Sequence, residues 1–144
     1  MLDNFIYRKN TTDENVMKEI LDKQAYRKKK INFGISEDDV WLDGGAHIGI
    51  FGLYVAQNKG KKVYCYEPET ENYQILQKNA STINSTYNTQ IECFKYAINQ
   101  NGGTHQFTIA PNTWRHSLMT HYKKKLPTVE IECKKIDDIL STYT

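Results

Sequence analysis

Residues 40–51 read VWLDGGAHIGIF. A branched, apolar run stops at an acid, Asp43, and glycines then occupy positions 44, 45 and 49. Such a run reads as a short buried strand, and the glycines as a turn whose backbone must bend sharply or approach a partner closely.

The stretches on either side repeat the alternation of strand and helix. IGIFGLYVAQNKG, residues 48–60, is apolar on much of its surface and reads as a helix stopped at Gly60. KKVYCYEP is a second strand, and TENYQILQKNAS a second helix, with Thr70 as its expected cap and Tyr73, Leu76 and Ala80 on one face. QIECFKYAI is a third strand. Strands joined through helices require right-handed crossovers and therefore a parallel sheet. Upstream, Val16, Met17, Ile20 and Leu21 fall at helical spacing, and Thr11 with Glu14 has the form of a capping box. This predicts an amphipathic helix over roughly 12–28, then the connector INFGISEDD. Downstream, Asn101-Gly102 between two extended runs predicts a hairpin. A polar loop, PNTWRHSLMTHYKKKLP, leads to the alternating strand TVEIECKKI and a helical turn at DDIL. The tail is expected to be antiparallel β.

The chain has 144 residues, 39% hydrophobic and 25% charged, which suits one globular domain with a real core. No apolar run is long enough to span a membrane, and the N-terminus lacks the pattern of a signal peptide. The three cysteines, Cys65, Cys93 and Cys133, are far apart and lie in strand-like runs. Their odd number and lack of CxxC spacing predict reduced thiols and a cytoplasmic location, and argue against zinc. Asn10, Asn79 and Asn84 sit in N-x-S/T sequons that carry no weight without a secretion signal. A net charge of +2 is nearly neutral, and Lys28–Lys30 and Lys123–Lys125 read as solvated surface, so nothing demands nucleic acid.

In an open α/β sheet, ligands bind beyond the carboxyl ends of the strands. Asp43 ends the first strand and Glu67 the second, so both are expected over one crevice. Two cofactor classes use a glycine turn there. A dinucleotide site wants G-x-G-x-x-G, and this chain offers Gly44-x-Ala46-x-x-Gly49, with alanine where the pyrophosphate needs bare backbone. Asp43 repels a diphosphate and welcomes a cation. S-adenosylmethionine carries an ammonium and a sulfonium and no phosphate, so the electrostatics favour it over NAD. Glu67 follows Gly49 by 18 residues, close to the usual interval of roughly 20 for an acid that accepts from the ribose hydroxyls.

Together, DVWLDGGAHIGIFGLYVA, VYCYEPETENYQILQKN, YAINQNGGTHQFTI and VEIECKKIDDIL resemble the FkbM family of class I S-adenosylmethionine-dependent methyltransferases, over roughly residues 34–140. The resemblance implies a Rossmann-like sheet, truncated after its third parallel strand, with an antiparallel β insertion. It divides the chain into an N-terminal helix and connector, 1–33, and a partial methyltransferase domain, 34–144. It further implies that Gly45, Ala46 and His47 line the methionine end of the cofactor, with Gly44 also at the cofactor, and that Asp43 holds the ammonium directly or through water. Gly49 lets the next helix pack close, Glu67 takes the ribose, Pro68 turns the chain beneath the adenine, and Tyr96 and Ala97 border its ring. The family pattern usually has asparagine where this chain has His47, a substitution that keeps a hydrogen-bond donor.

The resemblance implies methylation of a hydroxyl on a small molecule or sugar. A hydroxyl acceptor needs a base, and His47, His116 and His121 are in view, with Arg115 available for an anionic acceptor group; none is nominated. The segment that shapes the acceptor pocket in the family is not found in this sequence. A non-catalytic cofactor-binding or partner module therefore stands as an alternative, with self-association or a partner chain completing the sheet. No D/N-P-P-Y/F motif of adenine N6 methylation occurs, while a fragment of an RNA ribose methyltransferase stays open.

Overall fold

The structure, a computed structural model, describes residues 2–22, 33–109 and 126–143. Helix α1 (Thr12–Met17) runs on as a π-helical turn through Asp22. Thr11 caps it: its Oγ1 accepts from the Asp13 amide at 3.2 Å and donates to the Arg8 carbonyl at 2.8 Å. The expected continuation of this helix to residue 28 lies outside the described residues.

Strand β1 (Val40–Gly44), helix α2 (Ile50–Gln57), strand β2 (Lys62–Tyr66), helix α3 (Thr70–Thr86) and strand β3 (Gln90–Phe94) follow as the alternation predicts. The strands form a parallel sheet in the order β1-β2-β3, with Asp43 opposite Cys65 and Cys65 opposite Cys93. Alternation along β2 divides the core in two. Val63 and Cys65 face the helices, where Leu53, Val55, Leu76 and Ile83 are sealed from solvent. Burying each such aliphatic side chain contributes roughly 1.5–3 kcal/mol. Phe5, Met17 and Ile20 join that same cluster, so the N-terminal segment shares the sheet's core.

Two details of the helices differ from expectation. Glu69, and not Thr70, caps α3: its carboxylate accepts from the amides of Glu71 at 3.1 Å and Asn72 at 2.7 Å. A carboxylate satisfies two amides at the positive end of the helix, which a threonine hydroxyl does not match. Helix α2 ends at Asn58 with Lys59 in the left-handed region (φ 65°). The Lys59 amide bonds Ala56 O and the Gly60 amide bonds Val55 O, a Schellman ending. Gly60 is thus required for room, since a Cβ there would lie 2.4 Å from Val55 Cγ1.

The tail forms a second sheet from β4 (Ala97–Asn99), β5 (Gly103–Thr108) and β6 (Thr128–Lys135), closed by helix α4 (Ile136–Tyr143). The turn at Asn101-Gly102 is present: Asn99 Oδ1 accepts from both amides, and Gly102 and Gly103 have φ of 67° and 82°. Its two arms do not pair as a hairpin. The order is β4-β6-β5, with β6 parallel to β4 and antiparallel to β5. Ile131 and Cys133 of β6 are buried against Ala97 and Phe107, so both arms bury their apolar residues best by sharing β6. The tail is therefore mixed rather than wholly antiparallel.

Helix α4 covers the other face of the parallel sheet. Ile139 is buried with Tyr64 and Tyr66, and the Tyr143 ring stacks on Tyr64 with centroids 3.7 Å apart. Among the described residues, no helix is long and apolar enough to cross a membrane.

Candidate cofactor site

The glycine turn is fastened to the end of β2 by its own backbone. The amides of Gly45 and Ala46 donate to Tyr66 O at 2.8 and 3.0 Å. The His47 amide donates to Glu67 Oε2 at 2.8 Å, and the Glu69 amide to Glu67 Oε1 at 2.9 Å. Three successive amides are thus committed inside the protein and are not offered to a phosphate. Gly45 sits at φ 85° with nothing among the described residues within 4 Å of where a Cβ would stand. Gly49 caps α2 at φ 89°, and a Cβ there would meet Leu76 Cδ1 of α3 at 2.9 Å.

The carboxylates behave differently from surface acids. Asp43 retains some accessible surface, yet its Oδ2 is sealed and has no hydrogen-bond partner among the described residues. Burial, with no compensating charge, pushes its carboxyl up to about 7. Glu67 is 5% exposed. Its burial outweighs the lowering effect of the bonds from Glu69, His47 and Asn72, and carries its carboxyl to about 7 as well. These three bonds take three of the carboxylate's four lone-pair sites and leave one.

The residues expected at the cofactor separate into layers. Gly44 and Gly45 are exposed and Asp43 is partly so, whereas Ala46, His47, Gly49, Glu67, Pro68 and Ala97 are buried. Tyr96 is half-buried on the α4 side of the sheet, with Lys134 Nζ 4.4 Å from its ring centroid. One face of that ring is therefore engaged by a cation. Arg115, His116, His121 and both lysine runs lie outside the described residues.

A buried polar network beneath the turn escaped the reading of the sequence. Asp13 is fully buried and takes a forked pair of bonds from Arg8, Nε to Oδ2 at 2.9 Å and Nη2 to Oδ1 at 3.2 Å. Arg8 Nη2 also donates to Asn72 Oδ1 at 2.7 Å, and His47 Nε2 lies 3.3 Å from Asp13 Oδ1. Burial alone would raise the Asp13 carboxyl. The bonds from His47 and Arg8 more than reverse that and hold it well below the usual carboxylate range. Asn79 is fully buried too, and ties the Ile6 amide, the Ile6 carbonyl and the Ile48 carbonyl together at 2.7, 2.9 and 2.8 Å. The one available signal was that Asn72 and Asn79 fall on the same side of α3 as Leu76 and Ile83. Asparagines on an apolar face must find partners.

A parallel sheet with acids at adjacent strand tips and a glycine turn whose amides are spent inside the protein defines the α/β domain. Residues 43–144 match the family described as the methyltransferase FkbM domain, and the chain belongs to that family. A solved structure of methyltransferase FkbM from Methylobacillus flagellatus KT is similar in fold, with 21% sequence identity and a TM-score of 0.51. The similarity covers 79% of this chain and 25% of that one, so this chain spans about a quarter of that protein's length. No curated protein matches the chain.

Proposed function

We propose that this chain forms the cofactor-binding part of an S-adenosylmethionine-dependent methyltransferase whose acceptor is a hydroxyl on a small molecule or sugar. The observation that carries the reading is Asp43 Oδ2, a buried acceptor at the tip of β1 with no hydrogen-bond partner among the described residues. A desolvated carboxylate gains most from a cation, and the family implies a methyl donor that bears one. The committed amides of Gly45, Ala46 and His47 support the same choice, because a diphosphate would find few donors there.

When bound, the sulfonium of the donor supplies an already activated methyl group. The residues of this chain bind and orient. Asp43 holds the ammonium, Glu67 accepts from the ribose with the one lone-pair site its internal bonds leave, and Gly44 and Gly45 leave room for the methionine end. In this reading Tyr96 and Ala97 border the adenine. Alignment and exclusion of water then carry most of the rate gain. His47 is buried beneath the turn, which places it poorly for taking the acceptor's proton.

A second reading, a partner module, draws on the sheet's edge. Among the described residues, strand β1 is paired on one side only, by β2, and Val40 is 56% exposed. Another segment or chain adding a strand there would complete the sheet.

Calorimetry with S-adenosylhomocysteine tests the cofactor. Binding is expected, weakened by on the order of 1–3 kcal/mol in Asp43→Ala and in Glu67→Ala, since each leaves polar groups of the ligand unpaired. Heat with NAD and none with S-adenosylhomocysteine would sink the assignment.

A further inference from the structure

The Arg8–Asp13 pair belongs to the N-terminal segment, before residue 43 where the family match begins. We infer that Asp13, held by Arg8, is a positioning residue for the cofactor turn: it fixes the His47 ring with its proton on Nε2, and through that ring the bend beneath the crevice. The half that concerns the crevice rests on the cofactor reading above; the half that concerns the ring does not.

The geometry around Nε2 decides the tautomer. Arg8 Nη2 has two hydrogens, and they go to Asp13 Oδ1 at 3.2 Å and Asn72 Oδ1 at 2.7 Å. His47 Nε2 lies 3.2 Å from Nη2 and 3.3 Å from Oδ1. A bare Nε2 would point its lone pair at a carboxylate oxygen and could only share the Nη2 hydrogen already directed at Oδ1. A protonated Nε2 donates to Oδ1. The other charged group at this place, Glu71, is exposed and meets Arg8 Nη1 at 3.4 Å, away from the ring.

The ring is linked to the crevice through its own backbone. His47 adopts φ 53°, a left-handed conformation that a side chain of this size rarely takes. Something must hold it there. The same residue's amide donates to Glu67 Oε2 at 2.8 Å. Anchoring the imidazole from below offsets the backbone strain and keeps that amide on Glu67. The chain's first segment is thereby part of the site.

Two measurements test this. In 15N-labelled protein, at a pH where the ring is neutral, the imidazole correlations of His47 are expected to show the proton on Nε2. A proton on Nδ1 with Nε2 bare overturns the inference, whatever the variants do. The second is a double-mutant cycle read by S-adenosylhomocysteine calorimetry. Asp13→Asn is expected to weaken binding about tenfold, and to cost nothing further in a His47→Asn background. An equal loss in both backgrounds means that Asp13 merely holds α1, and overturns the positioning role. If Asp13→Asn does not fold, the tautomer of the unmodified protein still decides. Absence of any heat from the unmodified protein refutes the cofactor reading instead, and with it the half of the inference that concerns the crevice.

Discussion

The backbone amide of His47 donates to Oε2 of Glu67 at 2.8 Å, so the turn after β1 hangs on the acid at the end of β2. The same carboxylate receives the Glu69 amide through its other oxygen. Glu67→Ala should therefore loosen the turn as well as remove a ribose acceptor. Hydrogen exchange at the His47 and Glu69 amides should accelerate, with a stability loss on the order of 1–3 kcal/mol for buried donors left unpaired. Unchanged exchange alongside lost ligand affinity would mean that Glu67 acts on the ligand alone.

Asp43 sets a pH dependence. Its carboxyl is raised from 3.8 to about 7 on folding. The folded state therefore binds more protons than the unfolded chain across that interval, and stability falls as pH rises from about 4 to 7. Glu67, raised from 4.5 to about 7, adds to the same slope. Asp43→Asn should flatten part of the slope and stabilise the ligand-free protein at pH 8 by on the order of 3 kcal/mol. Urea titrations at several pH values check this, and equal slopes in the two proteins would contradict it.

Asp13 works in the opposite direction. Its carboxyl is lowered on folding, so its contribution is complete above the ordinary carboxylate range and fades as the protein is acidified below it. Asp13→Asn should remove that acid-side loss while lowering stability near neutral pH by about 3 kcal/mol or more, because it leaves Arg8 without its buried carboxylate. Acid titration followed by circular dichroism would show the difference.

Gly49 should not tolerate a side chain. Gly49→Ala combines a left-handed φ of 89° with a Cβ 2.9 Å from Leu76 Cδ1. A cost on the order of 2–3 kcal/mol is expected from strain and overpacking together. In a Leu76→Ala background, itself less stable by about 2–5 kcal/mol, Gly49→Ala should cost only the backbone part, a separation visible in a double-mutant cycle of denaturation midpoints.

Asn79 is the clamp between α3, the N-terminal segment and the turn. Asn79→Leu would strand the Ile6 amide, the Ile6 carbonyl and the Ile48 carbonyl, each of which now has an asparagine bond. A loss of about 3 kcal/mol or more is expected. Exchange at the Ile6 amide should rise to that of an exposed segment while the β2 amides stay protected.

The sequence alone determined the alternation of strand and helix, the parallel sheet and the placing of Asp43 and Glu67 at neighbouring strand tips. Those features follow from local periodicity and from the few ways a right-handed crossover can close. What it could not show was which amides the turn spends inside the protein, that Glu69 caps α3, or that β6 slips between the two arms of the apparent hairpin. Nor did it connect Arg8 and Asp13 with His47 and Asn72. Each of these is a pairing between residues distant in the chain, or a competition among several local donors. Such contacts are settled by which arrangement satisfies every buried polar group at once, a condition that exists only after the core has closed.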